Sequence, residues 1–409
     1  ATEALKELLD SVEDSGPWPA WFRAENELQR AFIQARRRSY AKAAMSGRTA
    51  YGLYESIVEE HPAFAEAYKG RGLLRIMIGS VPGSFRWVLN TFGYGGTVEE
   101  GMDDLRKAAR ESRFGAVEAE LMLCLADVTV NNSRNDGDER LGELYQTQQD
   151  SPLVGWLYAF ALVSNREVSK AGPVLERAYA QTQESGRAAL PFIDYYLGDV
   201  RYTENDFEAA RTHFVRFVDT FAGSSLKADA LLKAGISSEM LGDVGRAFAY
   251  YHLVDSPTEF DSDRRAKKEA ARRLEGQMSH GEKDQLRAVN AFDGGRYAET
   301  RERFEQFMSR ADASPRDSTI AHYYFGRAYH AESKLPPAAE AYRYVVNNPI
   351  GSDERWAPWA QYYLGEVLEE QGNPAAARRA YAAALQYRGE YDYKNGLESR
   401  AKAGLRRTG

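Results

Sequence analysis

YYLGDVRYTENDFEAARTHFVRF (195–217), LKAGISSEMLGDVGRAFAYYHLV (232–254), QLRAVNAFDGGRYAETRERFEQF (285–307), YYFGRAYHAESKLPPAAEAYRYV (323–345) and YYLGEVLEEQGNPAAARRAYAAA (362–384) are renderings of one phrase. Each carries an apolar–small pair, a short polar turn, then a small residue followed four places later by an aromatic. A phrase that recurs at this length marks a repeat architecture and outranks any reading made segment by segment. The residue types have a physical reason. Gly198, Gly235, Gly326 and Gly365 lack the Cβ that would hold two helices of a hairpin apart. Ala210, Ala247, Thr300, Ala338 and Ala377 serve the same approach from the second helix. Phe214, Tyr251, Phe304, Tyr342 and Tyr381 follow one turn later and are expected to wedge against the next hairpin. Glu204-Asn205-Asp206, Gly242-Asp243, Gly294-Gly295 and Gly372-Asn373-Pro374 break the chain between the two helices.

These positions, recurring together, resemble the tetratricopeptide repeat. The resemblance implies an all-α fold: a right-handed superhelical solenoid of antiparallel helical hairpins. Weaker copies of the small-then-bulky mark continue upstream at Ala50/Tyr54, Gly101/Leu105, Arg140/Leu144 and Ala171/Leu175. The marks fall 31 to 39 residues apart except for two intervals of 51 and 53, which must carry insertions. The count is about nine repeats. Residues 1–190 read as divergent N-terminal repeats with an insertion at 80–97, and 191–409 as clearer repeats with an extra helix at 261–277, in one continuous solenoid. TEALKELLDSVED at the start and GLESRAKAGLRR at the end read as capping helices.

Composition narrows the function. Hydrophobic residues make up 43% and charged residues 28%, the balance of a folded chain rather than a disordered one. Ala, Leu, Glu and Arg, which lose little entropy in helices, dominate. A net charge of −7 argues against nucleic acid as the main partner. The single Cys124, in LMLCLADV, has no disulfide partner and reads as a small buried hydrophobe. No apolar run reaches the ~20 residues of a membrane span, and the chain opens at Ala1 without a secretory leader. A soluble protein is expected, either cytoplasmic or exported to the periplasm after leader removal.

The two insertions differ in character. DSDRRAKKEAARRLEGQ (261–277) reads as a solvated basic amphipathic helix across the solenoid's edge, with a nucleic-acid patch as the alternative. Residues 75–109 hold a Ser-Val-Pro-Gly turn, Phe85-Arg-Trp-Val-Leu, the link Phe92-Gly-Tyr-Gly-Gly, and a helix opened by Thr97 with Glu99 and Glu100 in its first turn. This stretch resembles the inclusion-body-clearance and outer-membrane tetratricopeptide family. The resemblance implies a compact, bacterial relative with a non-enzymatic scaffold role and no catalytic residues.

Chemistry-bearing motifs are weak. Asn132 to Glu143 has a calcium loop's glycine and closing glutamate, yet Arg134 stands at a ligand position. Gly93-Tyr-Gly-Gly lacks the rest of a dinucleotide or phosphate loop. The six histidines form no metal-binding pair, so neither metal nor cofactor is expected. Function is therefore placed in the concave groove lined by the first helices. Helical spacing gathers Tyr195, Asp199 and Tyr202, then Tyr323, Arg327 and His330, then Trp359, Tyr362 and Glu366. Rings supply contact area while charges fix register, which suits an extended peptide or protein segment. The rings could equally pack between helices. A cell-envelope binder of small ligands or glycans, and a self-assembling structural module, are the alternatives.

Overall fold

The computed structural model describes residues 16–80, 95–127, 134–184, 190–255, 261–310 and 313–408. The described residues form twenty α-helices and no strand, in two compact units that divide after Gln148. The expected N-terminal cap and most of the 80–97 insertion lie outside the described residues.

The first unit contains α1 (Pro17–Arg36), α2 (Tyr40–Glu60), α3 (Glu66–Gly79), α4 (Val98–Glu111), α5 (Ala116–Ala126) and α6 (Arg134–Thr147), packed as consecutive antiparallel pairs. Gly72 and Gly101 let α3 and α4 touch backbone to backbone. A Cβ on either would lie 2.8 or 2.6 Å from the other's carbonyl oxygen. Thr97 opens α4 with a reciprocal cap: its Oγ1 accepts from Glu100 N (3.1 Å), and its own N–H donates to Glu100 Oε2 (2.8 Å). Buried Glu66 accepts from the backbone N–H groups of Arg113, Phe114 and Gly115 at 2.7, 2.9 and 3.0 Å, so a carboxylate on α3 completes the start of α5. Cys124 is fully buried, and burial together with neighbouring Glu120 pushes its thiol up to about 12.

The second unit runs through α7 (Pro152–Ser164), α8 (Val168–Glu184), α9 (Pro191–Thr203), α10 (Phe207–Thr220), α11 (Lys227–Met240), α12 (Val244–Leu253), α13 (Asp261–Leu274), α14 (His280–Asp293), α15 (Tyr297–Met308), α16 (Pro315–Ala331), α17 (Leu335–Asn347), α18 (Trp356–Glu370), α19 (Pro374–Ala384) and α20 (Lys394–Arg407). Hairpins are α7/α8, α9/α10, α11/α12, α14/α15, α16/α17 and α18/α19, with α13 interposed and α20 closing the series. The turn residues start helices as well as ending them: Asp206, Asp243 and Asn373 cap α10, α12 and α19 by accepting from the N–H three residues on.

The glycine–aromatic pairs meet, but within a hairpin. A Cβ on Gly198, Gly235, Gly326 or Gly365 would stand 2.7, 2.4, 2.6 or 2.6 Å from the ring of Phe214, Tyr251, Tyr342 or Tyr381 respectively. The ring therefore fills the space that the missing side chain leaves in its own partner helix, rather than serving only the next hairpin. Tyr381 does both, because its other face would meet a Cβ on Gly404 of α20 at 2.5 Å. That contact explains how the terminal helix covers the last hairpin.

The helix expected at 261–277 runs from Asp261 to Leu274 and is not merely solvated. Asp263, Ala266, Ala270 and Arg273 form a buried stripe against α11 and α12. Fully buried Asp263 accepts from Leu226 N (2.9 Å) and Asp229 N (3.1 Å), closing the N-terminus of α11. Leu226 there has a left-handed backbone (φ 64) and provides no cap of its own.

Gly365→Ala is expected to destabilise the protein by ~1–3 kcal/mol, because the fully buried Tyr381 ring has nowhere to move. Gly245→Ala on α12, where a Cβ meets nothing within 4 Å, should leave stability unchanged or raise it by up to ~1 kcal/mol. Urea unfolding followed by circular dichroism distinguishes the two.

Candidate functional site

The aromatic residues singled out by spacing are packed between helices. Tyr195, Tyr202, Tyr323, Trp359 and Tyr362 are each 4–8% exposed. Tyr195 packs edge-on to Tyr196 (5.2 Å), and its hydroxyl donates to Asp229 Oδ2 at 2.7 Å. Tyr202 lies between Phe207 and Phe214. The Arg327 guanidinium is clasped by rings, 4.3 Å from Tyr363 and 5.1 Å from Phe292, and donates to the Tyr323 hydroxyl at 3.2 Å. Tyr362 donates to Glu366, whose carboxyl is pushed above the ordinary range by burial, against that hydrogen bond. His330 Nε2 meets Glu370 of the following hairpin at 3.0 Å. Spacing thus gathers true neighbours, but their rings build the interior.

The open concavity of the second unit lies beside them. It is a cavity of about 700 Å3, walled by the inner sides of α7, α9, α11, α13 and α14 and by the segments 353–356 and Asp392. Of the residues chosen by spacing, Asp199 and Tyr202 line it; the other seven are not in its wall. Contacts between elements far apart in sequence hold its rim. Buried Asn290 on α14 donates to Tyr202 O (2.7 Å) and Asn205 Oδ1 (2.9 Å). Arg296 donates to Thr203 O (2.6 Å), and Arg166 lies 3.8 Å from Asp293 and over the Phe292 ring. Gly295, at φ +76, passes so close to α7's end that a Cβ would stand 2.2 Å from Arg166 O.

Charge in this cavity is arranged rather than scattered. Lys233 Nζ is 2.6 Å from Asp199 Oδ1 and 2.7 Å from Asp229 Oδ2. Burial raises the Asp199 carboxyl above the usual range, with Asp229 adding and Lys233 opposing. Burial acts the same way on Asp229, but Lys233 outweighs it and holds that carboxyl low. Burial alone would lower Lys233, yet the two carboxylates keep its ammonium charged. The sequence reading passed over Lys233, although it stands one turn after Asp229 and two places before Gly235. It also passed over Asp353-Glu354-Arg355-Trp356, a charged run that leads into the first residue of α18.

Lys233→Met leaves two enclosed carboxylates without their cation and is expected to cost about 3–5 kcal/mol at neutral pH. Both carboxylates then have raised folded-state pKa values. Protonation removes their charge, so the deficit shrinks as pH falls through the carboxylate range. Equal deficits at neutral and acidic pH, measured by denaturant titration, would refute the charge-coupling account.

Among the described residues no helix is long and apolar enough to cross a membrane, and no group of three or more His, Cys, Asp or Glu is placed to hold a metal. No curated protein matches the chain in sequence. Among solved structures it is similar to yeast Tom70, at 14% identity over 90% of this chain and 68% of that one (TM-score 0.38). It is also similar to YrrB, a tetratricopeptide-repeat protein with an unusual peptide-binding site, at 15% over 53% and 97% (TM-score 0.35). A third is PilF of Pseudomonas aeruginosa, at 13% over 66% and 99% (TM-score 0.31). None of these likenesses bears on what this chain binds. Family models for the tetratricopeptide repeat match residues 195–259 and 359–388, so the chain carries tetratricopeptide repeats.

Proposed function

We propose that the protein is a non-catalytic scaffold that binds an extended peptide or protein segment in the concave cavity of its second unit. One observation carries this reading: the first helices of successive hairpins converge on a single open concavity lined by apolar side chains and charges of both signs. Leu232, Ile236, Leu286 and Val289 offer apolar contact, while Lys233, Asp199 and Asp293 supply fixed polar points. The resemblance of residues 75–109 to the inclusion-body-clearance family supports a scaffold role in place of an enzymatic one.

The cavity's size supports a second reading. At about 700 Å3 it falls within the range of small-molecule sites, so a small ligand or glycan is the competing occupant.

The buried tyrosines are unsuitable for testing either reading, since their removal would disturb the core. Val289→Trp fills the cavity from its wall instead. A blocked random peptide library should yield peptides that bind the full chain and bind at least tenfold more weakly to Val289→Trp. Binding unaffected by Val289→Trp would remove the cavity from the account. If no peptide is retained but a sugar or metabolite raises the melting temperature of the wild type alone, the small-ligand reading takes its place. Saturation at a hundredfold excess over Kd adds about 2.7 kcal/mol, which a thermal-shift assay detects.

A further inference from the structure

We infer that the cavity of the second unit contains a carboxylate-binding point formed by Arg265 and Arg355, both of which lie beside the Tyr393 ring. The inference rests on the proposal that this cavity is the binding site, and names the chemistry of the group it takes.

Both arginines line the cavity, and neither side chain forms an ion pair or hydrogen bond among the described residues. In this unit Arg166, Arg201, Arg272, Arg273, Arg301 and Arg407 have carboxylate partners, whereas Arg343, Arg379, Arg388 and Arg406 have none but are exposed and lie outside the cavity wall. Arg265 is open to water by surface area, yet protein surrounds it on most sides. The two facts agree if the guanidinium stands inside the concavity rather than on an outer face. Arg265 lies 5.8 Å and Arg355 5.9 Å from the centre of the same ring, that of Tyr393, and Arg355 also lies 4.7 Å from Trp356. Asp229, Asp293 and Asp392 act on Arg265 across the cavity, yet no carboxylate among the described residues is in ion-pair contact with either guanidinium, so the donors of both stay open to an added carboxylate.

The backbone is shaped for this placement. Asp263 fixes the register of α13 by capping α11, and Arg265 follows two residues later. Tyr393 adopts a left-handed backbone (φ 64) immediately before α20, a costly conformation for a bulky residue. The Asp392 carbonyl beside it accepts from Trp359 Nε1 at 3.4 Å.

Charge bookkeeping selects the class of anion. Seven acidic residues line the cavity against five basic ones: Asp199, Asp229, Glu269, Asp293, Asp353, Glu354 and Asp392 against Arg166, Lys233, Arg265, Lys268 and Arg355. A phosphate or nucleic acid would bring multiple negative charges against this acidic surround. A single carboxylate matches the two guanidinium forks, and the acidic walls favour polar or basic groups on either side of it. The fitting occupant is a peptide segment bearing one Asp or Glu side chain.

The test compares the full chain with an Arg265→Gln/Arg355→Gln variant, using blocked random peptides with Asp and Glu present or replaced by their amides. An Arg265→Lys variant keeps the charge while removing the fork, and thermal melts verify folding. Wild type should enrich acidic peptides and bind them at least tenfold better than the double glutamine variant, with Arg265→Lys in between. Peptides that bind both proteins equally would overturn the carboxylate point while leaving the peptide reading standing. If no peptide binds, but N-acetylglutamate changes Trp356 fluorescence in wild type and not in the double variant, the carboxylate point stands and the peptide reading falls. An unblocked alanine peptide that competes as well as the acidic one would place a chain terminus, not a side chain, in the site and overturn the side-chain assignment. Preference for inorganic phosphate or single-stranded DNA, or no response to any probe, overturns the inference.

Discussion

A glycine facing an aromatic ring sets the spacing on which the second unit depends. Phe214, Tyr251, Tyr342 and Tyr381 are almost wholly buried, and each lies where a Cβ on the opposing helix would collide with it. Tight helix contact normally excludes large side chains, and large side chains normally hold helices apart. Placing the ring over a glycine reconciles the two, giving a large apolar contact at short interaxial distance. The hairpins can then stack with their first helices presented to one side, and the concavity follows from that presentation.

The concavity's walls would remain apart without a second constraint, the polar contacts between α14 and the ends of α7 and α9. Asn290 uses its amide on a backbone carbonyl and on Asn205, both in the turn that ends α9. That carbonyl already accepts from Asn205 N at 3.0 Å in the closing turn, so Asn290 adds a second bond to it and locks the turn against α14. Inserting α13 makes this arrangement possible. That helix packs on α11 and α12, and the chain then returns to α14 at the ends of earlier helices.

The hairpins were legible because they depend on residues a few positions apart. The glycine, the ring and the capping Asp or Asn all lie within one repeated phrase, so spacing alone reveals them. The cavity was not legible, because its lining runs from Val163 to Asp392 and is assembled by contacts spanning eighty or more residues. Spacing found Asp199 and Tyr202 there, since these share a helix face. It could not find Arg355, which precedes a helix, or show that Arg265 turns inward. Asn290 did leave a local trace: a lone amide in the otherwise apolar run Ala288-Val-Asn-Ala-Phe292. The tyrosines misled for a simple reason. Helical periodicity gives an angle around the helix axis, whereas burial depends on what stands opposite.

The bonds from Asn290 and Arg296 to the end of α9 have a consequence for how the unit comes apart. Repeat arrays usually melt as chains of neighbours, fraying inward from their ends, with each hairpin answering only to the next. Here the second hairpin of the unit is tied directly to the fourth, bypassing the third and the inserted helix. Opening the middle therefore requires breaking the tie, and breaking the tie exposes both flanks. A one-dimensional stack has in this way acquired a loop in its contact network, which couples the opening of its second and fourth hairpins.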